Sequence, residues 1–312
     1  MDIDIVIPWV DGSDPVHCEK RSRYLSNEEK QVALDGIHRR RWSNADELGI
    51  CMMSIARYAP WVRKIWVVTD NQQPQFPELP ENIASKIVVI DHRHIFRDYE
   101  EFLPIFNSLS IGTMLYRIEG LADQFILFND DTFFFLPVEQ SDFFRGENLV
   151  LRGNWLTMNA AERGTFLSTT YRTNKLEAAK RVGFDQSRYF SLAHVMQPLD
   201  KTLLAGLFDQ HPDWLIANIG HRFRSPTQFS IASLNAHLAI KSGRATLIER
   251  RDWRNFSSRW CAKAAGPRAF LELMLTKMLR RKLICVNDLA LLETKFSWFR
   301  PMLLRLMNIR TR

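Results

Sequence analysis

The sequence predicts an α/β protein: a Rossmann-like, largely parallel sheet with flanking helices and a more helical C-terminal part. Three observations carry this. Short β-branched or apolar runs alternate with helical spacing between Ile3 and Phe135, in the order strand, helix, strand, strand, helix, strand. Polar residues follow every one of those strands: Asp11, Asp70, Asp91 and the triplet Asn129-Asp130-Asp131. The 312 residues, 46% apolar and 25% charged, suffice for a substantial core.

Ile3 to Ile7 (IDIVI) reads as the first strand. It runs into Asp11-Gly12-Ser13-Asp14-Pro15, a strong loop signal. A glycine-containing loop after a first strand is where backbone N–H groups often meet a phosphate. Residues 17–41 are polar and suggest a helical insertion or flap with a basic cluster at Arg39-Arg40-Arg41. Asp46 to Tyr58 has helical spacing, with Asn44 as the expected cap and Pro60 at its exit. Lys64 to Thr69 and Lys86 to Ile90 are the next strands. Asn107 or Ser108 caps a helix that Gly120 stops. Phe125 to Phe128 is the central strand, and the acidic triplet falls at its carboxyl end.

Beyond it the pattern predicts a strand at Leu149 to Arg152 and helices near 175–182, 200–208, 227–242 and 269–283. Cys285 to Asp288 reads as a polar interruption, and Lys295 to Ile309 as a last amphipathic stretch.

The net charge of +7 is uneven: residues 250–312 hold 15 Lys/Arg against 4 Asp/Glu, or +11. That points to an anionic partner or to a solvated basic face. No nucleic-acid-binding module is recognisable, so no nucleic-acid partner is expected. No apolar run has the length of a membrane span, and Met1-Asp2-Ile3-Asp4 lacks the design of a secretion signal. A cytoplasmic location is expected. The four cysteines show no metal-ligand spacing and read as reduced thiols.

Two adjacent carboxylates amid so much hydrocarbon need a compensating partner. A hard cation with oxygen ligands would serve, and a plain Asn/Asp turn is the alternative. Four strand ends with carboxylates on one sheet edge favour a metal and nucleotide site, because ligands of open α/β sheets bind there.

Several stretches resemble the Stealth family of bacterial capsular polysaccharide phosphotransferases, relatives of the N-acetylglucosamine-1-phosphotransferase of lysosomal enzymes. IDIVIPWVDGSDP resembles the first conserved region. SIARYAPWVRKIWVVTDNQ, LPIFNS and YRIEGLADQFILFNDDTFF resemble the second. The stretch from His194 through HRFRS resembles the third, and ICVND at Ile284 to Asp288 the fourth.

The resemblance implies transfer of a sugar 1-phosphate from a nucleotide diphosphate sugar, with UDP-N-acetylhexosamine expected, to a saccharide acceptor hydroxyl. It implies a divalent cation, Mg2+ or alternatively Mn2+. Residues 1–155 would form the core that binds nucleotide sugar and metal, and residues 156–312 the part that completes the site. Asp130, Asp131 and Asp288 are the expected metal ligands, with a helix cap as the alternative for Asp288. His194 is the expected general base and Arg224 the phosphoryl clamp, with structural roles as their alternatives. Asp11, Gly12, Asn107 and Asn129 are expected to contact donor or phosphate. The chain departs from the family pattern at Gly49, Met53, Asn71, Gly112 and Tyr116. The competing functions are a metal-dependent glycosyltransferase and a non-catalytic part of a capsule export complex. The basic amphipathic end would make a peripheral contact with the inner membrane, or else be an ordinary core helix pair.

Overall fold

A computed structural model of the chain describes residues 2–25, 46–157, 166–184, 188–248 and 251–309. The cluster Arg39 to Arg41 and the expected cap Asn44 lie outside them.

Five strands form the central sheet: β1 (Ile3–Pro8), β2 (Ile65–Thr69), β3 (Ile87–Asp91), β4 (Gln124–Leu127) and β9 (Gln197–Asp200), in the order β3-β2-β1-β4-β9. The first four run parallel, with Ile5 opposite both Ile65 and Ile126. β9 closes the edge antiparallel to β4. The sheet separates two cores, as period-two alternation requires. Ile3, Ile5 and Ile7 face helix α2 (Glu47–Tyr58) through Cys51 and Ile55. Val6, Trp66 and Phe125 face the other way, toward helices that follow later in the chain.

Asp4 is fully buried in β1, yet Arg63 pairs with it at 2.9 and 2.6 Å, and Trp66 Nε1 and the Ala122 N–H donate to it at 2.9 Å. Those partners replace the lost water, so a charge inside the first strand is tolerated.

Two smaller sheets surround the central one. β7 (Asn148–Thr157) pairs with β6 (Phe144–Arg145), β8 (Arg188–Leu192) and β10 (Ala245–Ile248). β5 (Thr132–Phe134) pairs with β12 (Leu283–Val286), which pairs with β11 (Trp253–Phe256). Strands of the second half thus complete sheets begun in the first. The remaining helices are α1 (Pro15–Arg23), α3 (Ser108–Met114), α4 (Phe166–Val182), α5 (Lys201–Gln210), α6 (Pro212–Ile219), α7 (Ile231–Lys241), α8 (Ser258–Lys263), α9 (Gly266–Met278), α10 (Leu289–Lys295) and α11 (Phe299–Leu306), besides single turns.

Several boundaries differ from the sequence pattern. α2 starts after Asp46, which holds a left-handed backbone and makes no side-chain cap. The helix expected to reach Leu283 ends at Met278, and Leu283 to Val286, read as part helix and part polar interruption, is a fully buried strand. α7 starts at Ile231 because the Ser230 side chain caps it, accepting from the Ser233 N–H. α11 is not a free amphipathic end: Phe299, Leu303, Leu304 and Met307 are buried in the main core. Most of its apolar stripe is therefore already covered by protein. No helix among the described residues is long and apolar enough to cross a membrane.

Candidate active site

The acidic triplet sits where the chain leaves one sheet for another. Phe128 N–H donates to Val6 O at 2.9 Å and ends β4 beside β1. The hydroxyl of Thr132 donates to Asn129 O at 2.7 Å and accepts from Asn129 N–H at 3.2 Å, which tightens the turn. β5 then pairs with β12, with Thr132 opposite Cys285, and Val286 N–H donates to Asp131 O at 2.9 Å. That register delivers Asn287 and Asp288 next to Asp131. His194 arrives from another direction: it lies between β8 and β9, and Gln197 pairs with Leu127 at the carboxyl end of β4.

One amide ties these groups together. Asn287 Nδ2 lies 3.0 Å from Asp131 Oδ2 and 3.2 Å from His194 Nε2. The Cys285 thiol also donates to Asp131. Two carboxylate oxygens, Asp131 Oδ1 and Asp288 Oδ2, are buried with no hydrogen-bond partner among the described residues. Asp288 occupies the cap position of α10 but makes no cap bond, so capping does not explain it.

Burial pushes the carboxyls of Asp130 and Asp131 up. Each is also raised by a neighbouring acid, Asp130 by Asp131 and Asp131 by Asp288. Both keep some solvent contact, but protein surrounds them on nearly every side, so dehydration dominates.

A divalent cation fits this arrangement. Asp131 Oδ1 and Asp288 Oδ2 are orphaned, dehydrated carboxylate oxygens, the kind of donor that hard cations take. Asp131, His194 and Cys285 also place one oxygen, one nitrogen and one sulfur within 4.8 Å of one another. The Cys285 thiol, however, is pushed well up by burial and then by Asp131. In the protein alone, Cys285 serves as a hydrogen-bond donor to Asp131.

Arg224 belongs to the loop over residues 221–228 and donates to Ser108 Oγ at 2.6 Å. Asn107 holds that loop. Its Oδ1 accepts from Leu109 N–H at 3.0 Å, and its Nδ2 donates to Phe223 O at 3.0 Å and Gln228 Oε1 at 2.7 Å. Asn107 is 1% exposed, and its side chain bonds within the protein. It caps α3 and positions the Arg224 loop, and its polar atoms are fully used within the protein.

Two residues without any motif complete the surroundings. Tyr171 is 52% exposed, its ring stands edge-on to His194 at 5.9 Å, and its phenol lies within reach of the Arg224 charge. Lys175 places Nζ 4.1 Å from the Tyr171 ring centre and donates to Leu192 O at 2.8 Å. Burial lowers its ammonium to about 7.

Asp11 and Gly12 lie further along the same sheet edge. The Asp11 side chain accepts from Ser13 N–H at 2.9 Å and Ser13 Oγ at 2.6 Å. Gln72 clasps its backbone at 2.8 and 3.0 Å. Gly12 is buried, with its carbonyl accepting from the Cys18 thiol at 3.0 Å. A cavity of about 300 Å³ opens here, lined by Trp9, Asp11, His17, Lys20 and Asp70 among others. Burial pushes the Asp70 carboxyl up, but hydrogen bonds from His17 and Lys20 outweigh it and hold Asp70 down at about 2.

The structure therefore gathers Asp130, Asp131, His194 and Asp288 with Arg224 near Tyr171, and leaves Asp11 and Gly12 at a neighbouring cavity. Asn129 is exposed at the mouth of the turn. Among the departures, Asn71 adopts the left-handed conformation (φ 55°) that glycine favours. Gly112 and Tyr116 are core positions, packed on Ile231 and Phe208. Sequence reading missed Asn287, Cys285, Tyr171 and Lys175. Only Asn287 carried a signal, as the neighbour of Asp288.

Two family models match the chain: Stealth protein CR1, conserved region 1, over residues 1–29, and Stealth protein CR2, conserved region 2, over residues 41–151. The exopolysaccharide phosphotransferase SCO2592 of Streptomyces coelicolor is 32% identical over 77% of this chain and 26% of that protein. The capsular polysaccharide phosphotransferase cps1A of Actinobacillus pleuropneumoniae is 30% identical over 74% and 63%. The capsular polysaccharide phosphotransferase WcwK of Streptococcus pneumoniae is 28% identical over 92% and 90%. The chain thus spans less than two thirds of the first two of these relatives.

Proposed function

The chain matches the first two conserved regions of the Stealth family, and from that premise we propose that it is a capsular polysaccharide phosphotransferase. It moves a sugar 1-phosphate from a nucleotide diphosphate sugar, UDP-N-acetylhexosamine, to a saccharide hydroxyl and forms a phosphodiester. One observation supports this most: the orphaned oxygens of Asp131 and Asp288 lie in a cluster tied to His194 through Asn287.

A divalent cation, Mg2+ or Mn2+, on Asp130, Asp131 and Asp288 would neutralise charge on the diphosphate. His194 takes the proton of the acceptor hydroxyl. A carboxylate only accepts, so the Asn287 amide nitrogen faces Asp131, and His194 Nε2 then accepts from the same nitrogen. That bond engages the Nε2 lone pair, so the ring must release the amide before Nε2 can take the acceptor's proton. The acceptor oxygen bonds to the phosphorus that carries the sugar, the bond to the bridging oxygen breaks, and nucleoside monophosphate leaves. Arg224 supplies a forked cation for the transferred phosphoryl group. The cavity beside Asp11 and Gly12 takes the nucleotide end, and the reaction runs in the cytoplasm.

Phosphorus NMR of product made with nucleotide sugars, Mg2+ and a capsule oligosaccharide tests this. A phosphodiester resonance that is lost with chelator or Asp131→Ala is expected. Polymer growth without phosphorus would replace the reading with sugar transfer.

A further inference from the structure

Helix α9 turns the wrong side of its sequence to water. Ala269, Leu273 and Thr276 face inward and are buried. The outer face carries Phe270, Leu271, Met274, Leu275, Met278 and Leu279, two adjacent i,i+4 ridges along the whole helix. Met278 is 72% exposed, Leu271 56% and Leu279 52%. From Phe270 to Leu279 the stripe is roughly 14 Å long at 1.5 Å per residue. It continues into an open apolar groove lined by Gly266, Pro267, Phe270, Trp298 and Met302. An exposed apolar face of this extent marks an interaction surface.

Its rim is cationic. Lys263 and Arg268 stand at one end and Arg280 and Arg281 at the other, and none of the four is in a salt bridge among the described residues. A second copy would bring like charges together across the contact. An anionic bilayer supplies both an apolar interior for the stripe and negative headgroups for the rim.

We propose that the outer face of α9 docks on an anionic lipid bilayer, with the stripe sunk to the headgroup boundary. This stands apart from the phosphotransfer reading: it rests on no catalytic residue, and its test needs no substrate. The contact centres on α9; the last helix adds only Met302 at the edge of the groove, its Phe299, Leu303 and Leu304 being buried.

Flotation of the full chain with phosphatidylglycerol-containing vesicles tests it. The chain is expected to float with them and to stay down with pure phosphatidylcholine. Leu271→Glu with Met278→Glu should abolish flotation. Arg280→Gln with Arg281→Gln should weaken it about 30-fold, the factor that two surface cations supply. A spin label on Met278→Cys, in a Cys18→Ser background, reads insertion independently, and oxygen accessibility should rise on vesicles. Absent flotation, flotation unchanged by the two glutamates, a solvent-like label, or a dimer in light scattering that the glutamates dissolve would each overturn the proposal.

Discussion

Asn287 and Asp131 stand 156 residues apart in sequence and share a 3.0 Å hydrogen bond, and the same amide nitrogen reaches His194 at 3.2 Å. The bond exists because β12 pairs with β5 and ends beside the acidic turn. It couples the Asp131 carboxyl to the His194 imidazole.

That coupling predicts the effect of Asn287→Leu, which keeps the shape and removes the donor. On the proposed chemistry, kcat should fall about 10²-fold, the low end for losing a positioned base, with donor KM nearly unchanged. Steady-state kinetics checks it. A change confined to KM would mean that Asn287 holds the donor instead.

Asp288→Asn should separate stability from function. The wild-type side chain is 8% exposed and has an orphaned oxygen. Without metal, removing its charge relieves its repulsion of Asp131, so the melting temperature should not fall. Added Mg2+ should then no longer raise the melting temperature. Thermal melts in chelator and in Mg2+ read both effects.

The raised carboxyls of Asp130 and Asp131 predict a pH dependence with a definite sign. Folded, they keep protons that the unfolded chain has already released. Without a cation, their contribution to stability is complete below about pH 4 and is lost as pH rises to about 7. Asp70, held low, acts in the opposite direction but only below its ordinary value. The expected outcome is a melting temperature in chelator that falls between pH 4 and 7 relative to Asp130→Asn/Asp131→Asn, and a wild-type melting temperature that recovers with Mg2+ at neutral pH.

Asn107→Ala should act on Arg224 from a distance. The cap and the loop bonds together make a loss of about 2 kcal/mol or more in stability the expectation. The surviving protein should resemble Arg224→Ala in its kinetics, because the loop that carries Arg224 loses its anchor. Normal kinetics in a folded Asn107→Ala would show that the loop holds its place without it.

The parallel half of the fold was legible because its signals are local. Ile3 to Ile7, Lys64 to Thr69 and Lys86 to Ile90 show strand periodicity and strand ends directly, and Asn107 is recognisable as a cap. Leu283 to Val286 was not legible: four apolar residues between a cationic run and Asn-Asp carry no period. Only pairing with β5 and β11 makes them a strand.

By itself, the sequence determined an α/β sheet with acidic residues at its strand ends, an acidic triplet after the central strand, and a strongly cationic C-terminal region. Chemical type and periodicity are properties of neighbouring residues, so they survive without a structure. The tertiary structure decided which distant groups meet: Asn287, Cys285 and Asp288 beside Asp131, and His194 beside Asn287. It also decided that α11 spends its apolar face inside the core while α9 keeps one outside. An amphipathic pattern specifies that a face is apolar, but what covers that face depends on packing between segments far apart in the chain.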